Sequence, residues 1–309
     1  MDKKKLFESG RPKIGIRVIV DGRYNGVREK IEGPTFALAE KAKNLLEKHV
    51  YCPDGHPVEC VIGSTGVGGV REAEQVSREF HDQHVGAVIS ISRAFAYAAE
   101  IMVWDAQVPQ AIWGFSGSER PGSVYLAAAA AVAEQKGYPV FKIYGRHVQD
   151  AEDLCVPEDV GEKLILFARC ALAVASMKGR AYLSVGNVCM GIGGSIVDQE
   201  FFRCYLGMRT ETVDMNELQR RLRYKIYDQE EFETALQWVK ANCREMEDPN
   251  SPEIRQSRSQ KDQVWETSVK MTLILRDLMD GNEKLAELGW KEEAQGHYAL
   301  AAGFQGQRL

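Results

Sequence analysis

The sequence predicts an α/β protein with two successive Rossmann-like domains, each a three-layer structure around a parallel sheet, the second more helical than the first. Two observations lead to this prediction. Short runs of β-branched residues alternate with segments of helical periodicity through the first half, which is typical of βαβ units. The 309 residues also exceed what one hydrophobic core usually covers. We assign the two domains to residues 1–175 and 176–309.

The first half contains strand-like runs separated by helical segments, so right-handed crossovers would place helices on both faces of one sheet. The predicted strands are 14–20, 58–62, 85–91, 110–115 and 140–144, and the predicted helices are 36–49, 70–80 and 123–135. Ligands of such sheets bind beyond the carboxyl ends of the strands. The candidate ligand-binding loops are therefore 21–29, 63–69, 92–97 and 114–122.

The second half begins with helix 158–178, which we expect to bridge the two domains. The predicted elements that follow are strand 181–185, a glycine-rich loop at 186–195, helix 198–205, a short strand and helix from 212, and helices 230–242 and 260–279. The polar, proline-containing stretch 245–259 is predicted to be an exposed loop. Residues 301–309 (AAGFQGQRL) show no closing element, so we expect the chain to be truncated there.

Composition and charge exclude several classes of protein. The net charge is −5 and no basic stripe is present, which argues against a nucleic-acid partner. No apolar run approaches the roughly 20 residues of a membrane-spanning helix, and no apolar segment of a secretory signal follows the first ten residues. The seven cysteines include no CxxC pair, which is typical of reduced cysteines. These features predict a soluble cytoplasmic protein with a small-molecule partner and no membrane contact.

Three motifs have plain structural interpretations. The loop at 63–72 (GSTGVGGVRE) lies between a strand and a helix but lacks the lysine of a phosphate-binding loop, so we interpret it as a tight turn. Met190 lies in the glycine-rich loop GNVCMGIGGS, where packing is favoured over ligand contact. His81 and His84 are interpreted as part of a solvated helical face, and no cluster of metal ligands stands out.

Arginines are the stronger signal. Arg17, Arg23 and Arg28 cluster around the end of the first strand. A guanidinium fork suits hydroxyl-rich or anionic ligands. An ion pair with Asp21 or Glu29 is equally compatible with the sequence, so both interpretations stay open at this point.

Read together, these segments resemble the L-fucose isomerase family, and the resemblance covers nearly the whole chain in order. The matching stretches are KIGIRVIVDGR at 13–23, GVRE at 26–29, VECVI at 58–62, AIWGFSGSERPGSVYLAAA at 111–129, IYGRHVQDAED at 143–153, LAVASMKG at 172–179, MGIGGSIVDQEFF at 190–202, LGMRTETVDM at 206–215, KIYD at 225–228 and AAGFQGQR at 301–308.

The resemblance implies an aldose–ketose isomerase of the L-fucose/D-arabinose type, which converts L-fucose to L-fuculose. In this family a divalent metal, usually Mn²⁺, polarises the substrate oxygens, and a carboxylate moves a proton between C2 and C1 through an ene-diol. The family has two Rossmann-like domains and a C-terminal domain, assembled as a homohexamer with active sites shared between subunits. Its metal ligands, a Glu, an Asp and a His, follow the GFQGQR motif.

The resemblance therefore implies no catalytic residue and no metal ligand within these 309 residues, a truncated second domain, an absent C-terminal domain, and a chain that is inactive alone. Substrate-binding positions do carry over. Arg23, Met190 and Gln307 match family positions that line the sugar site, and Arg17 is a weaker candidate. The family usually reads TPCWCYG where this chain reads SRAFAYA, so Phe95 replaces a tryptophan. An aromatic face remains for a sugar, but the indole N–H is lost.

Two alternative functions remain open. A non-catalytic fragment or paralogue that only binds sugar, or that associates with full-length subunits, fits a chain without the family's carboxylates. A periplasmic-type sugar-binding protein is disfavoured because no export signal is present.

Overall fold

The computed structural model describes residues 10–186, 192–193, 196 and 198–305. The chain divides into two compact units, Asp2–Lys178 and Gly179–Leu309. Each unit has its own parallel sheet and its own hydrophobic core. The predicted fold class is thus confirmed. No helix within the described ranges combines the length and apolarity that crossing a bilayer requires.

The first unit is built on a five-stranded parallel sheet. Its strands are β1 (Lys13–Ile19), β2 (Cys60–Ile62), β3 (Val85–Ser92), β4 (Gln110–Gly114) and β5 (Val140–Ile143). They are arranged in the order β2-β1-β3-β4-β5, and all neighbouring pairs are parallel. The chain crosses from β1 to one side and returns on the other side at β3. In open α/β sheets, ligands bind at this reversal of strand order.

Helices cover both faces of this sheet. They are α1 (Arg28–His49), α2 (Val70–Asp82), α3 (Gly122–Gln135) and α4 (Glu158–Met177), with a short 3₁₀ helix at Ala99–Val103. Because side chains alternate along a strand, Ile14 and Ile16 of β1 pack with α1 and α4, whereas Ile19 packs with α2 and α3. We expected α4 to bridge two domains. It packs on β3, β5 and α1, where its apolar face completes the core of the first unit, and it ends at Met177, just before the second unit begins at Gly179.

Helix α1 begins eight residues before the predicted start at 36. The prediction was based on the apolar spacing of residues 36–49, and the helix extends further toward the N-terminus, with Pro34 inside it. Two contacts stabilise the early start. Glu29 accepts the backbone N–H of Gly26 at 2.8 Å, and Arg28 bonds Glu32 one turn later.

Gly122, the first residue of α3, occupies a very crowded backbone position. A Cβ atom there would overlap the carbonyl oxygen of Ser92 and lie 2.9 Å from the amide nitrogen of Phe115. That same amide donates to the Ser92 oxygen at 2.9 Å. The ends of β3 and β4 and the start of α3 therefore converge on one contact that only glycine permits.

The second unit has a three-stranded parallel sheet in the order β7-β6-β8. Its strands are β6 (Ala181–Gly186), β7 (Arg209–Val213) and β8 (Ala299–Gln305), and its helices are α5 (Gln199–Leu206), α6 (Met215–Tyr224), α7 (Gln229–Asn242), α8 (Arg258–Asp280) and α9 (Glu283–Glu287). Aspartate side chains cap α5, α6 and α7, and a capping box opens α8. The core lies between β6, β8 and α8, around Leu183 and Ile274.

Strand β8 corrects the prediction that the chain shows no closing element after 300. Residues 299–305 pair with β6 along its length. The small residues in this stretch masked the strand, since they lack the β-branched pattern. Gly303 has a packing reason, because a Cβ atom there would lie 2.8 Å from the hydroxyl of Tyr182.

We predict that Gly122→Ala destabilises the first unit by about 3 kcal/mol, because a backbone carbonyl cannot yield as a side chain would. Urea denaturation followed by circular dichroism measures the change. Gly33→Ala is the control, since Gly33 is an exposed residue of α1 with open space around its Cα. That variant should gain up to about 1 kcal/mol. Equal stability of the two variants would contradict the role assigned to Gly122.

Candidate ligand-binding cleft

A cleft of about 310 Å³ lies in the first unit, beyond the carboxyl ends of β1, β3 and β4. We call it the Arg23 cleft. It is lined by Asp21, Arg23, Val27, Ile31, Ala94, Phe95, Arg120, Pro121 and Val124. Three of the four loops predicted from the sequence supply side chains to it, and two of these loops follow β1 and β3, the strands that flank the reversal of strand order.

Arg23 is held at this cleft by Asp21. Its Nε and Nη2 donate to the two carboxylate oxygens of Asp21 at 3.0 and 2.5 Å, and its backbone N–H donates to the same group at 2.9 Å. The Asp21 side chain is only 4% exposed, whereas Arg23 is 61% exposed. The Arg23 hydrogen bond keeps the pKa of Asp21 below its ordinary value. The predicted ion pair thus forms with Asp21, and Arg23 still presents its guanidinium to solvent.

The loop that carries Asp21 and Arg23 is anchored by Arg28, whose side chain is nearly buried. Its guanidinium donates to Glu32 of α1 at 3.0 Å and to Glu72 of α2 at 2.7 Å. It also donates to the carbonyl of Gly66 at 2.9 Å. Its hydrogen bonds, those to Glu32 foremost, raise the pKa of Arg28, so the cation is permanent. Arg28 therefore ties the β1 loop to two helices and to the β2 loop.

The glycine-rich loop after β2 is a tight strand-to-helix turn, as predicted, and it does not line the cleft. Two of its backbone amides are already occupied by carboxylates. The amide of Gly68 donates to Glu72 at 2.7 Å, and the amide of Ser64 donates to Glu79 at 3.0 Å. A phosphate would have to displace both carboxylates, so this loop is not built as an anion site.

Phe95 is the aromatic surface of the cleft. It follows β3, it is 41% exposed, and its ring meets Tyr97 edge to face with centroids 6.0 Å apart. An exposed ring face beside a guanidinium suits a sugar, because C–H groups pack on the ring while hydroxyls accept hydrogen bonds.

Arg17 lies elsewhere. It points from the middle of β1 into the core between the sheet and α2, and only 2% of it is exposed. Its Nη1 donates to Ser90 Oγ at 3.3 Å, and burial lowers its pKa to about 10, against the opposing charge of Glu100. Burial likewise raises the pKa of Glu100 to about 7, against Arg17. The structure does not bring Arg17 to the cleft, as the strand's alternation could have indicated.

Two arginines that were not predicted as site residues, Arg93 and Arg120, follow the carboxyl ends of β3 and β4. Arg120 lines the Arg23 cleft. It also lines a neighbouring cleft of about 220 Å³, here called the Arg93 cleft. Arg93 is 7% exposed, lies over the ring of Phe115 at 4.5 Å and donates to the carbonyl of Ala151. Arg93 could have been singled out from the sequence, because it occupies the position at which the family's TPCWCYG motif has proline.

Met190 and Gln307, the other predicted sugar-site residues, lie outside the described residues. Their role stays a prediction. Within residues 10–186 and 198–305, no three His, Cys, Asp or Glu side chains come together as a metal site. These residues therefore do not fit the Mn²⁺ that the resemblance implies.

Comparisons with known proteins agree with the two-unit architecture. The family "L-fucose isomerase, first N-terminal domain" matches residues 11–179, and the family "L-fucose isomerase, second N-terminal domain" matches residues 180–309. A Haemophilus influenzae protein named L-fucose isomerase is 53% identical over 301 residues, which cover 97% of this chain and 51% of the relative. A relative of that name from Bacteroides fragilis is 52% identical, with 96% and 51% covered. One from Streptococcus pneumoniae is 53% identical, with 96% and 50% covered. The chain spans about half the length of these curated relatives.

We predict that Glu100→Gln removes a pH-dependent part of the stability of the first unit. The pKa of Glu100 rises from 4.5 to about 7 on folding. Its contribution is therefore fully present below about pH 4.5 and is lost as the pH rises through about 7. The wild-type chain should lose on the order of 1–3 kcal/mol relative to the variant across this window.

Urea unfolding at about pH 5 and about pH 8 measures this difference. The control is Glu74→Gln, on the exposed face of α2, which should follow the wild-type pH dependence. A Glu100→Gln variant with the same pH dependence as the wild type would mean that Glu100 titrates normally.

Proposed function

Because this chain belongs to the L-fucose isomerase family, we propose that it acts as the N-terminal part of an aldose–ketose isomerase that converts L-fucose to L-fuculose and also accepts D-arabinose. The observation that carries the proposal is the meeting of Arg23 and Phe95 at one cleft beyond the carboxyl ends of β1 and β3. The guanidinium of Arg23 can bond the hydroxyl groups of an aldose, and the exposed ring of Phe95 can pack against its C–H groups.

In this proposal the described residues bind and orient the sugar. Phe95 packs against the C–H face of the substrate, which excludes water from that side. Arg23 donates hydrogen bonds to hydroxyl oxygens, and Asp21 holds the guanidinium in place before the sugar arrives. Such pre-orientation lowers the entropic cost of binding, since one long side chain is already ordered.

Isomerisation moves a proton from C2 to C1 through an ene-diol, which requires a base and a polarised oxygen. We propose that residues other than those described supply both, together with the Mn²⁺ expected from the resemblance. The described part of the chain presents no donor set that matches this metal.

We further propose a homohexamer in the cytoplasm. Apolar side chains at the rim support burial of the cleft against another subunit: Tyr24, Tyr97 and Val124 are 60%, 56% and 52% exposed. The cysteines of the described residues are all free, which supports a reducing compartment.

A second candidate is a sugar-binding or subunit-associating chain without catalysis. It is favoured by one observation, namely a formed cleft in a unit whose described residues offer no metal site. Size-exclusion chromatography of this chain mixed with a full-length isomerase shows whether the two associate, which separates this candidate from the first.

We predict that the 309-residue chain alone binds L-fucose but does not convert L-fucose or D-arabinose, with Mn²⁺ or with EDTA. A coupled ketose assay measures turnover, and a full-length relative is the positive control. Turnover that EDTA abolishes would contradict the prediction, since the metal ligands would then lie within these residues.

We predict that Arg23→Gln weakens L-fucose binding about tenfold, because a charge-assisted hydrogen bond is lost. Phe95→Ala should weaken it similarly, whereas Phe95→Trp should bind at least as tightly as the wild type, because it keeps the ring face and adds an N–H donor. Ligand-observed NMR titration gives the dissociation constants.

Arg78→Gln is the matched control, because Arg78 is an exposed arginine of α2 that lines neither described cleft. If Arg78→Gln weakens binding as much as Arg23→Gln does, the effect is one of net charge and the proposed contact is wrong.

A further inference from the structure

The Arg23 cleft contains a second guanidinium, that of Arg120, which is not held by a carboxylate as Arg23 is. Arg120 lines both the Arg23 cleft and the Arg93 cleft. Arg23 is bound by Asp21, whereas Arg120 makes no hydrogen bond or ion pair with any described residue, although its charge helps to lower the pKa of Asp21. Its side chain is exposed. A cation at a cleft wall without an internal partner is available to a ligand.

The backbone at Arg120 is strained. Its φ of +45° lies in the left-handed region, which disfavours every side chain with a Cβ atom. Proline follows at position 121, and a residue before proline is restricted further. Strain of this kind persists where the surroundings enforce it, and it concentrates at functional sites. Here the surroundings are the close contact of Gly122 with Ser92, two residues further along the chain.

The charges of the cleft do not cancel. Asp21 neutralises Arg23, so Arg120 leaves one positive charge among the residues that line the Arg23 cleft. Arg120 also lies just before the N-terminus of α3, where the helix dipole adds positive potential. Sheet order places the β3 loop with Phe95 between the β1 loop with Arg23 and the β4 loop with Arg120.

We propose that Arg120 is a specificity-determining residue that donates hydrogen bonds to the ligand from the β4 side of the cleft, while Arg23 donates from the β1 side. This inference rests on the proposed sugar-binding function. Since Arg120 has no ion-pair partner among the described residues and the lining of the Arg23 cleft carries one net positive charge, the cleft binds the sugar acid of a given aldose more tightly than the neutral aldose. A ligand's carboxylate can accept two parallel N–H bonds from a guanidinium, which a single hydroxyl cannot.

The test is a titration of the full 309-residue chain with L-fucose and with L-fuconate, the acid of the same carbon skeleton. The wild type should bind L-fuconate several-fold more tightly, and added salt should reduce this preference. Arg120→Gln should abolish the preference and weaken L-fuconate binding about tenfold. Arg78→Gln should behave as the wild type.

The outcomes separate this inference from the proposed function. If the wild type binds neither ligand, the proposed function is wrong and the inference falls with it. If Arg120→Gln binds both ligands as the wild type does, the function stands and the role of Arg120 is refuted. Loss of binding by Arg23→Gln in the same series would show that the cleft is the binding site.

A second variant, Arg120→Gly, tests whether misfolding accounts for any loss of binding in Arg120→Gln. Arg120→Gly relieves the backbone strain, so its melting temperature should rise by about 2–4 °C. It should nevertheless lose the L-fuconate preference, since the guanidinium is gone. If Arg120→Gly is more stable than the wild type but binds L-fuconate less tightly, Arg120 contributes to ligand binding and not to stability. An Arg120→Gly chain that binds L-fuconate as tightly as the wild type overturns the proposal.

Discussion

The geometry of the first unit depends on the buried guanidinium of Arg28. It satisfies carboxylates on two helices and a loop carbonyl at once, so the loop after β1 cannot move without leaving a buried charge unpaired. Asp21 and Arg23 lie on that loop, and Gly22 there approaches Gly68 so closely that a Cβ atom would lie 2.5 Å from its carbonyl oxygen. The cleft is therefore rigid on its β1 side, and ligand contacts formed there are contacts with a fixed surface.

Much of this arrangement could be predicted from the sequence, because a parallel sheet brings all its carboxyl ends to one edge. Identifying β1 and β3 was enough to bring Arg23 and Phe95 together, without knowledge of strand order. The strands of the second unit were harder to predict from the sequence. Strand β8 consists largely of alanine and glycine, and its pairing with β6 places Gly303 against the hydroxyl of Tyr182, a contact that the residue pattern of β8 does not reveal.

The side chains that were missed share one property, which is that their roles arise from tertiary packing. Arg17 and Arg23 are six residues apart in sequence, yet Arg17 lies inside the core and Arg23 lies beyond the strand end, because side-chain alternation applies only within the strand. Glu100 faces Arg17 from a five-residue 3₁₀ helix, which is too short to be predicted from a periodic pattern of apolar residues. Arg120 owes its position to a positive φ, which a sequence of ordinary residue types does not reveal.

The contact between Gly122 and Ser92 has an evolutionary consequence. It fixes the base of the β3 loop through backbone atoms alone, so the loop keeps its path whatever side chain stands at position 95. Replacements at Phe95 can alter the shape and polarity of the cleft while the sheet beneath stays unchanged. The cleft can therefore change by single substitutions, each of which leaves a folded protein.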